Sequence, residues 1–214
     1  LMSLDKSLNR IKLFSEQNLN LDHDVYKKYE IVTSDYIYLE KDMLYNLWND
    51  ETKIYLFLDR EHYIENNLER KFNKYELDLY NITNYFPGKY FQTIKTRGKE
   101  NFINNIAINN YTNYGWGLLA QHFFIDLGYG DNYYFLVHLN NILNAILKNM
   151  IFSNYYIHKK SRLEIENNIY DLTFYNEKEI QNMFTDVIDD PVESNFEIIG
   201  YLKLKELYDK FEKN

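Results

Sequence analysis

GWGLLAQHFFIDLGYGDNYYFLVHLNNILNAILKNM, running from Gly115 to Met150, decides the fold class. Leu119, Ala120, Phe123, Phe124 and Leu127 recur at the three-and-four spacing of one helix face. Leu139, Ile142, Leu143, Ile146, Leu147 and Met150 do the same, with Asn140, Asn141, Asn144 and Lys148 opposite them. That pattern predicts the six apolar residues as the buried stripe of the second helix. Gly128 and Gly130 separate the two stripes, because glycine readily takes the left-handed conformation that ends a helix. The stretch predicts a helical hairpin over 116–127 and 132–150.

Working outward, Ile64, Leu68, Phe72, Tyr75, Leu79, Ile82 and Phe86 alternate spacings of four and three up to Pro87-Gly88, which predicts one long helix over 61–86. Leu39, Met43, Leu44, Leu47 and Trp48 predict a helix starting after Ser34 or Asp35, and Leu4, Leu8 and Ile11 predict one at the amino terminus. Downstream, Asn176 followed by Glu179 fits a capping box, with Ile180, Met183, Phe184 and Val187 as the buried face. Asp190, Pro191 and Glu193 start a further helix with proline at its first position, and Phe196, Ile199, Leu207 and Phe211 are its expected apolar residues. Between these, Leu163 and Ile165, Asn167-Asn168, then Ile169 break the helical period and leave room for one short β-hairpin near 163–174. The expected fold is mainly α, a single domain over 1–214 built as a bundle of about seven to nine helices.

Composition narrows the function. The chain has 214 residues, 24 basic against 32 acidic, and a formal net charge of −8. An acidic chain lacks the cationic footprint that general nucleic-acid binding requires, so no direct nucleic-acid partner is expected. There is no cysteine, which excludes disulfides, thiolate metal sites and thiol catalysis. Charges at Asp5, Lys6, Arg10 and Lys12 interrupt the first apolar residues, and no apolar run reaches the roughly 20 residues of a membrane helix. A cytoplasmic protein without a membrane partner is the expectation. The 22 tyrosines, abundant asparagine and the excess of Lys over Arg match an AT-rich genome.

The sequence offers little catalytic chemistry. His122 and Asp126 stand four apart on one helix, a spacing that can place two ligands on a metal, but no further ligand lies nearby in sequence. Gly115-Trp116-Gly117 and Gly128-Tyr129-Gly130 lack the strand and lysine context of phosphate-binding loops and read as helix punctuation. Lys89, Lys95, Arg97 and Lys99 form a small basic cluster beside Tyr90 and Phe91 that reads as a solvated loop. No enzyme activity, cofactor or metal is expected.

Charge is concentrated instead. From Leu163 to Glu197 ten acids face the single base Lys178, a net −9 over 35 residues. Glu177, Glu179 and Glu193 suit first helical turns, where the macrodipole favours them. The segment also has the character of a steering surface for a basic partner, with tyrosines as anchors. The expected partner-binding residues are Glu164, Glu166, Tyr170, Asp171, Tyr175, Glu177, Glu179, Asp186, Asp189, Asp190 and Glu193.

The run Asn113-Tyr114-Gly115-Trp116-Gly117-Leu118-Leu119-Ala120, with Phe123 to Asp126 and the helix beyond, resembles the central segment of helical immunity proteins that neutralise contact-dependent or type VI polymorphic nuclease toxins. The 61–86 helix and the Tyr170–Tyr201 region occupy the places of that family's preceding helices and its aromatic, acidic carboxyl-terminal part. The resemblance implies an all-α cytosolic toxin inhibitor that binds a basic nuclease toxin and occludes its substrate surface. The same run also resembles the first homology motif of Bcl-type apoptosis regulators, Asn-Trp-Gly-Arg, with Tyr114 in place of the tryptophan and Trp116 in place of the arginine. That alternative implies a viral inhibitor taking an amphipathic death-motif helix into a hydrophobic groove.

Overall fold

A computed structural model describes residues 2–19, 30–34, 43–45, 53–57, 73–92 and 110–212. Seven α-helices lie among the described residues, in order α1 (Met2–Asn18), α2 (Lys74–Asn84), α3 (Asn110–Asp126), α4 (Asn132–Phe152), α5 (Arg162–Leu172), α6 (Glu177–Asp189) and α7 (Pro191–Glu212). The fold is mainly α. The chain divides into two compact units, Leu1–Asp78 and Leu79–Asn214, with the boundary within α2.

In the first unit, α1 forms where the amino-terminal stripe predicts it. Leu8, Ile11 and Ser15 are buried at spacings of three and four, and the Ser15 hydroxyl donates to the Ile11 carbonyl at 2.7 Å. Arg10 clamps the fully buried Asp78 with two bonds, Nε to Oδ2 at 2.9 Å and Nη2 to Oδ1 at 2.5 Å. A three-stranded sheet in the order β1–β3–β2 was not anticipated: β1 (Glu30–Ser34) runs parallel to β3 (Lys53–Phe57), and β2 (Met43–Tyr45) runs antiparallel to it. Met43, Leu44 and Tyr45 pair with Leu56, Tyr55 and Ile54, so this part of the helix expected after Ser34 or Asp35 is a strand. Three apolar residues in a row serve a ladder as well as a helix turn, and the aromatic and β-branched run of β3 supplies the partner. The rest of that expected helix, and residues 61–72 of the expected 61–86 helix, lie outside the described residues.

The second unit holds two apolar clusters on either side of α4. Leu147 and Ile151 of α4 pack with Ile165 and Ile169 of α5 and with Ile180, Met183, Phe184 and Val187 of α6. Ala145 of α4 packs with Leu118 and Leu119 of α3 and with Ile198 and Tyr201 of α7. The capping box at Asn176 is present in both directions, and all four residues assigned to the buried face of α6 are buried. Gly128 and Gly130 have φ of 90° and 84° and close the α3–α4 corner as expected.

Four expectations need correction here. Residues 162–172 form helix α5 and not a hairpin: Ser161 caps it by accepting from Glu164 N, and Ile165 and Ile169 are buried one turn apart, with Asn167 and Asn168 on its exposed side. Helix α3 begins at Asn110 and runs through both Gly115 and Gly117. These glycines are close-approach positions: a Cβ on Gly115 would overlap the Gly200 backbone, so α3 and α7 cross with main chains touching. On α4, Leu139, Leu143 and Ile146 are exposed at 43, 39 and 47%, whereas Tyr134, His138, Ala145, Leu147 and Ile151 are buried. That helix is apolar around most of its circumference, so its neighbours choose the buried arc. On α7, Leu207 and Phe211 are exposed, and Ser194, Ile198, Gly200 and Tyr201 face inward.

Candidate functional site

The acidic segment folds into α5, α6 and the start of α7, and helical geometry divides it. One part surrounds a groove of about 550 Å³ between α5 and the first turn of α6. Its wall consists of Leu163, Tyr170, Phe174 and Ile180, and Glu166 and Glu177 stand on its rim. Leu163, Tyr170 and Phe174 are exposed at 68, 61 and 110%, so a strongly apolar, aromatic surface faces solvent beside carboxylates. Tyr175 also lines the groove but is half-buried. Its hydroxyl donates to Asn144 Oδ1 at 2.7 Å and lies 2.9 Å from the Asn140 carboxamide, tying the α5–α6 turn to α4.

The other expected partner residues have separate tasks. Glu164 lies 3.5 Å from Lys160, and Glu166 receives a 2.6 Å bond from Arg162. Glu179 closes the capping box on the Asn176 amide at 2.9 Å. Asp171 is exposed at the end of α5, against a neighbouring hollow lined by Met150, Asn154 and Lys160. Asp186 pairs with Lys148 at 2.9 Å and Glu193 with Lys89 at 3.3 Å. Asp189 ends α6 exposed, and Asp190 forms the corner into α7. Along α6, Glu177 and Asp189 are about 18 Å apart. The eleven residues therefore present one acidic-aromatic groove, holding Glu166, Tyr170, Tyr175 and Glu177, and a second acidic edge at the α6–α7 corner. Four of the ten acids meet bases from outside the segment, so the local charge is well below its formal −9. Glu197 is half-buried, and its pKa is pushed up by desolvation, with Lys89 opposing that shift.

A polar cluster lies inside the second unit, and beyond the His122–Asp126 spacing it has no local signal in the sequence. Buried His138 on α4 meets Gln121 of α3, Nδ1 to Oε1 at 2.9 Å. Gln121 Oε1 also accepts from Asn141 at 3.2 Å, and its amide nitrogen donates to Thr83 Oγ1 at 2.5 Å. Gln121 thus faces His138 with an acceptor, which places the imidazole proton on Nδ1 and leaves Nε2 as a lone pair with no partner among the described residues. Burial, helped by nearby His122, pulls the His138 pKa down to about 4, so the ring is neutral at pH 7. His122 Nε2 lies 3.3 Å from Asp126, and its Nδ1 lies 3.4 Å from the Tyr201 hydroxyl. Burial, then Asp126 and Asp209, pushes Tyr201 up to about 12. His138 and Tyr201 are therefore both neutral at pH 7.

The His122–Asp126 spacing noted in the sequence is realised, but no group of three metal-ligating side chains occurs among the described residues. Of the basic cluster, Lys89 engages Glu193 and lies 5.2 Å from the Tyr114 ring centre; Lys95, Arg97 and Lys99 lie outside the described residues. Trp116 donates its indole N–H to the Pro87 carbonyl at 2.7 Å, and so serves the interior of this unit. Among the described residues, no helix is long and apolar enough to cross a membrane. Comparison with known proteins finds no matching family model, no matching curated protein and no matching solved structure.

Proposed function

We propose that this chain is a cytoplasmic immunity protein: an inhibitor that binds a basic protein toxin, a nuclease by the charge it must complement, and occludes its substrate surface without chemistry. The supporting observation is the groove between α5 and α6, where exposed Leu163, Tyr170 and Phe174 stand beside Glu166 and Glu177. Aromatic anchors flanked by charge are the composition of binding hot spots, and a cationic nucleic-acid-binding cleft is the complementary surface. The acidic edge at Asp186 and Asp189 lies one helix length away and acts on the approach of the partner through its field.

The test is capture from the native host with the full chain as bait, followed by calorimetry on the captured protein. A cationic nuclease should be recovered. The Tyr170→Ala and Phe174→Ala variants should each weaken it roughly 30-fold, the effect of losing about 2 kcal/mol at a hot spot. Asp186→Lys with Asp189→Lys should slow association and flatten its salt dependence while leaving dissociation nearly unchanged. A toxin whose affinity ignores all four substitutions overturns the groove as its binding site.

A further inference from the structure

Helix α4 exposes a second apolar surface. Leu136, Leu139, Leu143 and Ile146 follow one another at spacings of three, four and three, the repeat by which two helices interlock side chains. They are exposed at 58, 43, 39 and 47%, and Phe135 and Tyr133 extend the patch at 46 and 62%. A patch of this size stands at the upper end of what monomers carry, and such patches commonly mark an interaction site.

We infer that this stripe is the contact surface of a homodimer, in which α4 packs against α4 of a second copy about a twofold axis. Area is the first argument. The six residues together expose the equivalent of about three large apolar residues, roughly 550 Å² per copy, so complete burial in a pair removes about 1,100 Å², the size of a small interface. Charge is the second. Lys148 is the only formally charged residue between Asn132 and Phe152, and its ammonium is engaged by Asp186 at 2.9 Å. Two chains of net charge −8 repel over most surfaces, but they meet here without like charges opposed. A lipid surface would call for lysines and arginines along the edges of the stripe, and those edges carry asparagines. A twofold pairing also closes on itself, since the same patch serves both copies.

Sedimentation equilibrium of the full chain from 1 to 100 µM tests this. The expected species is a dimer of twice the 26.1 kDa chain mass, shifting to a monomer in Leu139→Glu/Leu143→Glu with an unchanged far-ultraviolet helical signal. Because the chain has no cysteine, a Leu143→Cys or Leu139→Cys variant gives an independent reading. Mixing the two under mild oxidation should yield a covalent dimer, whereas Asn167→Cys on the acidic side should not. A wild-type monomer at 100 µM overturns the inference. So does a dimer that survives both glutamates, or a cysteine mixture that gives no covalent dimer.

Discussion

Replacing Gly200 by alanine pits a local gain against a tertiary cost. In an isolated helix the added methyl favours folding by about 1 kcal/mol. In α7 it would lie 3.1 Å from the Gly115 Cα and overlap the Tyr111 carbonyl oxygen, and both obstacles are main chain that no rotamer change can move. Overpacking costs about 1–3 kcal/mol where side chains can adjust, and sits at or above the upper end where they cannot. The net expectation is a loss of about 2 kcal/mol, or roughly 4–8 °C in Tm for a chain of this size. Gly115→Ala should cost about as much, and the double variant clearly less than the sum, because one separation of α3 from α7 admits both methyls. Gly117→Ala is the comparison: its nearest obstacle is the Thr83 side-chain methyl at 2.6 Å rather than main chain, and turning it aside would break the Gln121–Thr83 hydrogen bond, so a loss of about 1 kcal/mol is expected that adds to the Gly200→Ala loss. Urea unfolding followed by Trp116 fluorescence, in a Trp48→Phe background, reads the second unit alone. A Gly200→Ala variant as stable as its parent would refute the crossing.

Three further outcomes follow from the same structure. His138 titrates near 4 when folded against 6.5 when unfolded, so the unfolded chain binds the extra proton between those values. Stability should fall by up to about 3 kcal/mol as pH drops from 6.5 to 4, and His138→Asn should flatten that part of the urea-midpoint profile. Removing the capping box with Asn176→Ala should cost about 1 kcal/mol in the same unfolding assay. Ile169→Ala empties a fully buried position between α5 and α6 and should cost about 2–5 kcal/mol, measured as a lower urea midpoint with unchanged slope.

Local signals in the sequence translated well into structure, and choices between faces did not. Asn176 and Glu179 act on neighbouring amides, so their role was legible from spacing alone. Ile180 to Val187 lie on a helix with one apolar side, and only that side could be buried. Helix α4 has apolar residues around most of its turn, and whether Leu143 or Ala145 faces inward depends on α3, α6 and α7. The hairpin reading of 163–174 failed because two asparagines were weighed as turn formers, while Ser161 at the cap and Ile165 and Ile169 on one face make a stronger helix. Gly115 read as punctuation because its partner, Gly200, is 85 positions away. In the interior polar cluster the His122–Asp126 spacing was visible, but Tyr201 joins it from 79 residues downstream. For the candidate site, the acids and tyrosines were legible as a segment. Its division into a groove and a corner needed the direction of α6, and Phe174, its most exposed wall residue, lay inside the misread hairpin.

Asp190 serves two helices at once. Its amide donates to the Asp186 carbonyl at the end of α6, and its carboxylate accepts from the Glu193 amide at the start of α7. The corner therefore has no independent spacer that could loosen while both helices stay wound. Opening it frays the last turn of one helix and the first turn of the next together, so amide hydrogens on the two sides should exchange as one cooperative unit. Asp186 and Glu193, on opposite sides of that corner, share a single local unfolding event.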